Sequence, residues 1–371
     1  MKSVLFVFGT RPEAIKLCPL ILHIRRNVPA LRAIVCVTGQ HRDLLDDVLR
    51  WFGVSADYDL NLMQAGQSLS QLTAGIVGGL EDVFTACQPA MTVVQGDTAT
   101  TLCGALASFY ARVPVAHVEA GLRTGDLTQP FPEELNRILT TRLATLHFAA
   151  TPWAAANLRA EGIPADTIAI TGNTGIDALF YARERLEQPG ITLPSVPLLN
   201  PVLRLILVTA HRRESFGPPM DRICLAVREL ALRKDVQVVF PVHPNPNVRE
   251  AVGRHLSGLE NVLLTNPLSY PAFVFLLKSA TVILTDSGGV QEEAPSLGKP
   301  VLLLRLKTER PEAVEAGTVR MVGSDQHRIV RETKLLLDDP VEYSRLARAH
   351  NPYGDGRASE RIADVLNRFL S

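Results

Sequence analysis

The sequence predicts an α/β protein of two domains, each a parallel sheet covered by helices on both faces. Short, mostly apolar and β-branched runs recur along the chain, most followed by a helical pattern, as parallel strands buried on both sides require. The series stops at a proline-rich connection and then restarts. A length of 371 residues, 46% of them hydrophobic, exceeds one ordinary core and suits two domains of about 150 to 200 residues each. Two Rossmann-like domains are the expectation.

In chain order the first series is VLFVF (4–8), AIVCV (33–37), MTVVQ (91–95), VPVAHV (113–118), LHFAA (146–150) and TIAIT (167–171). The connection QPGITLPSVPLLNP (188–201) separates it from RLILVTA (204–210), VQVVFPV (236–242), NVLLT (261–265), TVILTD (281–286), PVLLLR (300–305) and TVRMVG (318–323). At the end of the chain Ile362, Val365, Leu366 and Phe369 fall at i, i+3, i+4 and i+7, one face of an amphipathic helix that has to be covered. The expected division is residues 1–170 with the C-terminal helix 355–371 as one domain and residues 171–354 as the other.

Charge and composition exclude several partner classes. Lys+Arg 38 balances Asp+Glu 38, and no basic block is long enough to bind nucleic acid or a membrane surface nonspecifically, so an anionic ligand must be met locally. Cys18, Cys36, Cys87, Cys103 and Cys224 are scattered without CxxC or paired Cys/His spacing, which argues against zinc and against a disulfide framework. The opening MKSVLFVFGTRPE has too few apolar residues for a signal peptide or a membrane span and reads as a strand, so the expected location is the cytoplasm.

In doubly wound sheets ligands bind outside the carboxyl ends of the strands, so the residues just after each apolar run are the candidates, with the cleft between the two domains as the expected site. In FGTRPEAIKL, Gly9 ends a strand and Pro12 opens a helix whose free N–H groups would attract an anion, with Arg11 and Lys16 adding charge; a solvated turn is the alternative. Neither GxGxxG nor GxxxxGK[ST] occurs, so nicotinamide-dinucleotide and P-loop fingerprints lack support. Asp97 follows MTVVQ, Glu119 follows VPVAHV, and PFPEELNR places Glu133 and Glu134 at the opening of a helix. Such carboxylates can converge in space, although any one alone is more often an N-cap or a solvated charge.

In the second series VTAHRRES supplies His211, Arg212, Arg213 and Glu214, and PVHPNP supplies His243 between prolines. A histidine beside two arginines at a strand end suits a phosphate clamp or a proton donor; Arg213 also reads as a structural ion-pair partner. In LTDSGGVQEEAPSLGKP, Ser287, Gly288 and Gly289 let backbone approach a phosphate at a helix start. Glu293 then reaches past the phosphate to ribose hydroxyls while Glu292 faces solvent; alternatively both glutamates compensate the helix dipole. Phe273 and Tyr270, in SYPAFVFLLKSA, offer a base-stacking face or core packing.

Taken together, GTRPEAIK, TGQHR, QGDTATT, HVEAGLRTG, PFPEELNR, TGNTGID, TAHRRES, PVHPNP, DSGGVQEEAP and TERPEAV make the chain resemble the non-hydrolysing UDP-N-acetylglucosamine 2-epimerases, over residues 9 to 315. The resemblance implies a GT-B fold with UDP held mainly by the C-terminal domain and the sugar facing the N-terminal one. It implies interconversion of UDP-N-acetylglucosamine and UDP-N-acetylmannosamine for surface polysaccharide, with no dissociable redox cofactor, no essential metal and a homodimeric assembly. The proton at C2 is not next to a carbonyl, so the family eliminates UDP to a 2-acetamidoglucal and adds it back. That route needs an anion cradle, carboxylates to move the proton, and exclusion of water.

By motif, Asp97, Glu119 and Glu133 match the family's catalytic carboxylates and His211 the histidine supporting UDP departure. Arg11 and Lys16 match the basic residues of the first loop, Ser287, Gly288 and Gly289 the diphosphate cradle, Glu293 the ribose carboxylate and Phe273 the uracil neighbour. Gln40 and His41 match residues through which some members bind a second UDP-N-acetylglucosamine as activator, whereas Asp43 and Gly66 stand where certain activated members carry Gln and Arg. Ser215 replaces the usual asparagine after HRRE, and RLKTER lacks the aspartate-threonine pair common before TERPE. The competing readings are an epimerase of a more decorated UDP-sugar such as a diacetamido-uronic acid, a hydrolysing epimerase, a silent sugar-nucleotide binder and a glycosyltransferase.

Overall fold

The computed structural model describes residues 1–39, 42–62, 66–191, 195–348 and 350–371, with the side chains of Arg42, Asp43 and Arg213 left aside. Two compact units divide the chain, residues 1–181 with 353–371 and residues 182–352.

The first unit runs β1 (Lys2–Phe8), α1 (Arg11–Asn27), β2 (Leu31–Val37), α2 (Arg42–Phe52), β3 (Tyr58–Asp59), α3 (Leu69–Cys87), β4 (Met91–Gln95), α4 (Ala99–Tyr110), β5 (Val115–Val118), α5 (Glu133–Leu143), β6 (Leu146–Ala149), α6 (Pro152–Ala160), β7 (Ile168–Ile170) and α7 (Thr174–Leu186). Its strands form one sheet in the order β3-β2-β1-β4-β5-β6-β7, and every pairing is parallel. Val4 to Phe8 are fully buried, as a central strand covered on both faces must be. One core layer packs Leu5, Val7, Ile34 and Val94 against Leu72, Ile76 and Leu80 of α3.

The second unit runs β8 (Arg204–Thr209), α8 (Pro218–Leu230), β9 (Val236–Pro241), α9 (Pro246–Leu256), β10 (Val262–Thr265), α10 (Tyr270–Ser279), β11 (Val282–Thr285), α11 (Gly288–Glu293), β12 (Val301–Leu303), α12 (Pro311–Glu315), β13 (Val319–Met321), α13 (Gln326–Asp338) and α14 (Pro340–Ala347). Its sheet is again parallel, in the order β10-β9-β8-β11-β12-β13. Ile206, Val208, Val238, Phe240 and Leu284 meet Ile223 and Val227 of α8 in its core.

The last helix, α15 (Ala358–Leu370), belongs to the first unit and packs on α1. Asp177 of α7 caps it, accepting from the N–H groups of Ala358 at 3.2 Å and Ser359 at 2.7 Å. Ile362 and Leu366 are buried, while Phe369, at the end of the stripe, stays 46% exposed. No helix of the described residues is long and apolar enough to cross a membrane.

Candidate active site

Both sheets reverse strand order at one place, between β1 and β4 in the first unit and between β8 and β11 in the second. In each unit taken by itself, the carboxyl ends of the strands beside the switch point are where a doubly wound sheet binds its ligand, and candidate residues follow those strands.

In the first unit the turn after β1 is organised by Glu13. Its carboxylate, 1% exposed, accepts from the N–H groups of Gly9 at 3.1 Å and Thr10 at 2.8 Å, and from the Thr98 hydroxyl at 2.7 Å. Burial pushes its pKa up against those stabilising bonds. Glu13 thus takes the N–H groups of Gly9 and Thr10, which precede α1, and ties the β1 turn to the β4 turn. Positive charge here comes from side chains. Arg11 is half-buried at the helix start, and Lys16, 9% exposed, forms an ion pair with Glu119.

Glu119 follows β5 with φ of +63°, a left-handed conformation unusual for a residue with a Cβ. Asn173, just past β7, donates to the same Glu119 oxygen at 3.4 Å. Asp97, just past β4, accepts from Arg137 Nη2 at 2.5 Å, and the Asn136 amide donates to its carbonyl at 2.9 Å. Glu134 is fully buried, accepting from the N–H groups of Thr124 at 2.9 Å and Gly125 at 3.0 Å while facing Arg137 at 3.3 Å. Its neighbour Glu133 begins α5 and is half-buried. Lys16 and Glu119 are thus in contact, and Arg137 links Asp97 to the turn that carries Glu133. Below Asp97, the buried His117 of β5 donates from Nε2 to the Gly96 carbonyl at 2.7 Å. Burial lowers its pKa to about 3, so this ring is neutral and holds the turn as a donor.

In the second unit Asp286, at the end of β11, is 0% exposed. Its Oδ2 accepts from the N–H groups of His211 and Arg212, both at 2.8 Å, and from Ser215 Oγ at 3.1 Å. The His211 ring lies with Nδ1 3.3 Å from Asp286 Oδ1 and stacks on His243 with centroids 5.6 Å apart. Burial and then the His211 charge lower the pKa of His243. Ser215, which breaks the usual HRREN pattern, is thereby a ligand of the Asp286 carboxylate.

Beyond Asp286, Gly288 and Gly289 are the first two residues of α11, so their N–H groups lie ahead of the helical ladder, whereas the Ser287 N–H donates to Thr285 Oγ1 at 3.0 Å. Arg310 covers this turn, bonding Glu292 at 2.5 Å and pairing with Glu309. Glu292 is 2% exposed, so the solvent-facing role expected for it is corrected: it is the inward partner of Arg310. Burial alone would raise Glu309, but Arg310, Arg305 and Arg212 outweigh it and hold that carboxyl far below its ordinary range. Glu293 lies one turn past Gly289 and Phe273 is half-buried on α10. Gln40 and His41 lie outside the described residues, as does the side chain of Arg213. Among the described residues no group of three His, Cys, Asp or Glu side chains is placed to hold a metal ion.

Sequence reasoning passed over Glu13, Arg137, Asn173, Asp286 and Arg310. Asp286 had a legible signal, a carboxylate at a strand end on the switch point; each of the others has a partner 18 to 85 residues away that only the fold reveals.

Two doubly wound parallel sheets carrying these strand-end residues define an α/β protein of the GT-B type. A family model described as UDP-N-acetylglucosamine 2-epimerase matches residues 24–367. The UDP-N-acetylglucosamine 2-epimerase of Escherichia coli (strain K12) is 53% identical over 369 residues, 98% of each chain, and a probable UDP-N-acetylglucosamine 2-epimerase of Ralstonia solanacearum is 52% identical over all of both chains. A crystal structure of UDP-GlcNAc 2-epimerase from Neisseria meningitidis bound to UDP-GlcNAc superposes with a TM-score of 0.93 at 47% identity, covering 99% of this chain and 100% of that one. The chain belongs to the UDP-N-acetylglucosamine 2-epimerase family, a family of isomerases.

Proposed function

We propose that the protein interconverts UDP-N-acetylglucosamine and UDP-N-acetylmannosamine by eliminating UDP and adding it back. A carboxylate takes the C2 proton while the C1–O bond breaks, its electron pair leaving with the β-phosphate oxygen of UDP. The C2–H electrons become the C1=C2 bond of a 2-acetamidoglucal. Protonation of C2 from the opposite face and return of UDP to C1 give the epimer, so no redox partner is consumed.

The observation that carries the reading is the pairing pattern of the three carboxylates. Asp97 is held by Arg137, Glu119 by Lys16 and Asn173, and Glu133 stands half-buried at a helix start. Three carboxylates in three electrostatic settings suit a proton removed on one face and delivered on the other, because acid and base work need unlike environments. In the second unit, the leading amides of α11 and His211 suit a departing diphosphate, and Glu293 suits ribose hydroxyls. Arg11, His243, Arg213 and Phe273 are proposed to complete the contacts to diphosphate and base. The working assembly is proposed to be a homodimer, which light scattering of the purified chain reads directly.

Proton NMR in heavy water with UDP-N-acetylglucosamine, EDTA and no NAD tests the reaction. UDP-N-acetylmannosamine deuterated at C2 is the expected product. Free N-acetylmannosamine would mean hydrolysis instead, and unchanged substrate would redirect the assignment to a more decorated UDP-sugar.

A further inference from the structure

We infer that Asp286 is the positioning residue for His211, fixing which ring nitrogen meets the ligand. The role of His211 rests on the epimerase reading above; the geometry of the pair does not.

The two oxygens of Asp286 are treated differently. Oδ2 is saturated by the N–H groups of His211 and Arg212 and by the Ser215 hydroxyl, which pins the loop after β8 to the end of β11. Oδ1 is equally buried, has no hydrogen-bond partner among the described residues, and lies 3.3 Å from His211 Nδ1. A buried carboxylate oxygen without a donor is strongly unfavourable, and the donor at hand is Nδ1–H. The neutral ring therefore carries its proton on Nδ1, leaving Nε2 as the nitrogen a ligand meets.

A second contact limits rotation of that ring. His243 stacks on it with an interplanar angle of 17°, and its own Nδ1 accepts the Asn245 N–H at 3.2 Å, so the stacking partner is itself held. Held by a carboxylate at one edge and a ring on one face, His211 presents Nε2 in a set direction. When negative charge develops on a departing diphosphate oxygen, a ring protonated at Nε2 can donate to it, and Asp286 accepts from the Nδ1–H of that imidazolium. Asp286 touches no reacting atom, and its Oδ1 bears on the reaction through His211.

A purely structural role, tying the loop, predicts the same cost whether or not His211 is present; positioning does not. Steady-state kinetics of the wild type, Asp286→Asn, His211→Asn and the double variant separate the two. Asparagine keeps an oxygen for the loop amides and removes the carboxylate. The expected result for Asp286→Asn is a kcat lower by about 10- to 100-fold with KM within about threefold. The double variant should fall no more than about twofold below His211→Asn. Equal factors in both backgrounds would overturn the inference.

If Asp286→Asn does not fold, nitrogen-15 NMR of histidine-labelled wild type, with His211 assigned by its loss in His211→Asn, reads the tautomer directly. A neutral ring protonated on Nδ1 is expected, and one protonated on Nε2 overturns the inference. This spectrum needs no substrate, so it decides the Asp286–His211 relationship even if the chain fails to epimerise UDP-N-acetylglucosamine.

Discussion

Arg310 rests its guanidinium on the backbone of Gly288, where a Cβ would stand 2.6 Å from Nη1 and 2.7 Å from Cζ. Gly288 has no positive φ, so it is glycine for close approach and not for conformation. The Glu292–Arg310 pair and the turn that opens α11 are therefore one packed unit.

Gly288→Ala should push Arg310 off that turn. Overpacking of this kind costs about 1 to 3 kcal/mol, and the part that falls on the turn should appear as UDP affinity lowered by about tenfold. Isothermal titration with UDP reads it. Unchanged affinity would mean that Arg310 relaxes freely and that the α11 turn does not depend on it.

Removing carboxylates should divide cleanly by role. Asp97→Asn, Glu119→Gln and Glu133→Gln should each lower kcat by about 100-fold or more while leaving UDP binding within about threefold, since each loses a proton acceptor with little change of shape. Glu293→Ala should instead weaken nucleotide binding with the smaller effect on kcat. Equal loss of UDP affinity in all four would contradict the division.

The sheets were legible because central parallel strands are written as apolar runs: each of the twelve runs is a strand in the described residues, and β3 escaped because Tyr58–Asp59 is too short to carry a period. Charge pairing was not legible. Glu292 reads as solvent-facing until Arg310 arrives from 18 residues away, and nothing in the first motif says that Glu13 holds the N–H groups of Gly9 and Thr10. A motif names its residues without saying which of them face one another. The division of the units inside α7, at Tyr181 and Ala182, likewise follows packing that no proline or glycine marks.

Lys16 and Glu119 allow stability and catalysis to be separated. Their side chains are 11% and 10% exposed, so Lys16→Met takes a cation from beside a nearly dry carboxylate and should cost about 3 kcal/mol. In the double variant Lys16→Met, Glu119→Gln the buried carboxylate charge is removed as well. Most of the stability should return while turnover stays lost. Thermal unfolding and kinetics on the same four proteins check both halves, and a double variant as unstable as Lys16→Met would show that burial of charge is not the cause.

His117 should make the first unit acid-sensitive. Its folded pKa is lowered to about 3 by burial, against an ordinary value of 6.5, so the unfolded chain binds a proton that the folded chain refuses. Its contribution is therefore fully present above about pH 6.5 and shrinks as pH falls toward 3, at up to about 1.4 kcal/mol per pH unit. Glu13 and Asp177, whose folded pKa values burial raises, act with the opposite sign at lower pH, so the wild-type profile alone would mix the effects. His117→Gln retains a donor for the Gly96 carbonyl and cannot titrate. The gap in unfolding temperature between wild type and His117→Gln should narrow or reverse from pH 7 to pH 5, as only the wild type is penalised. A gap that stays constant across that range would mean that His117 takes up its proton in the folded state, and that the Gly96 turn beneath Asp97 is not held by a neutral ring.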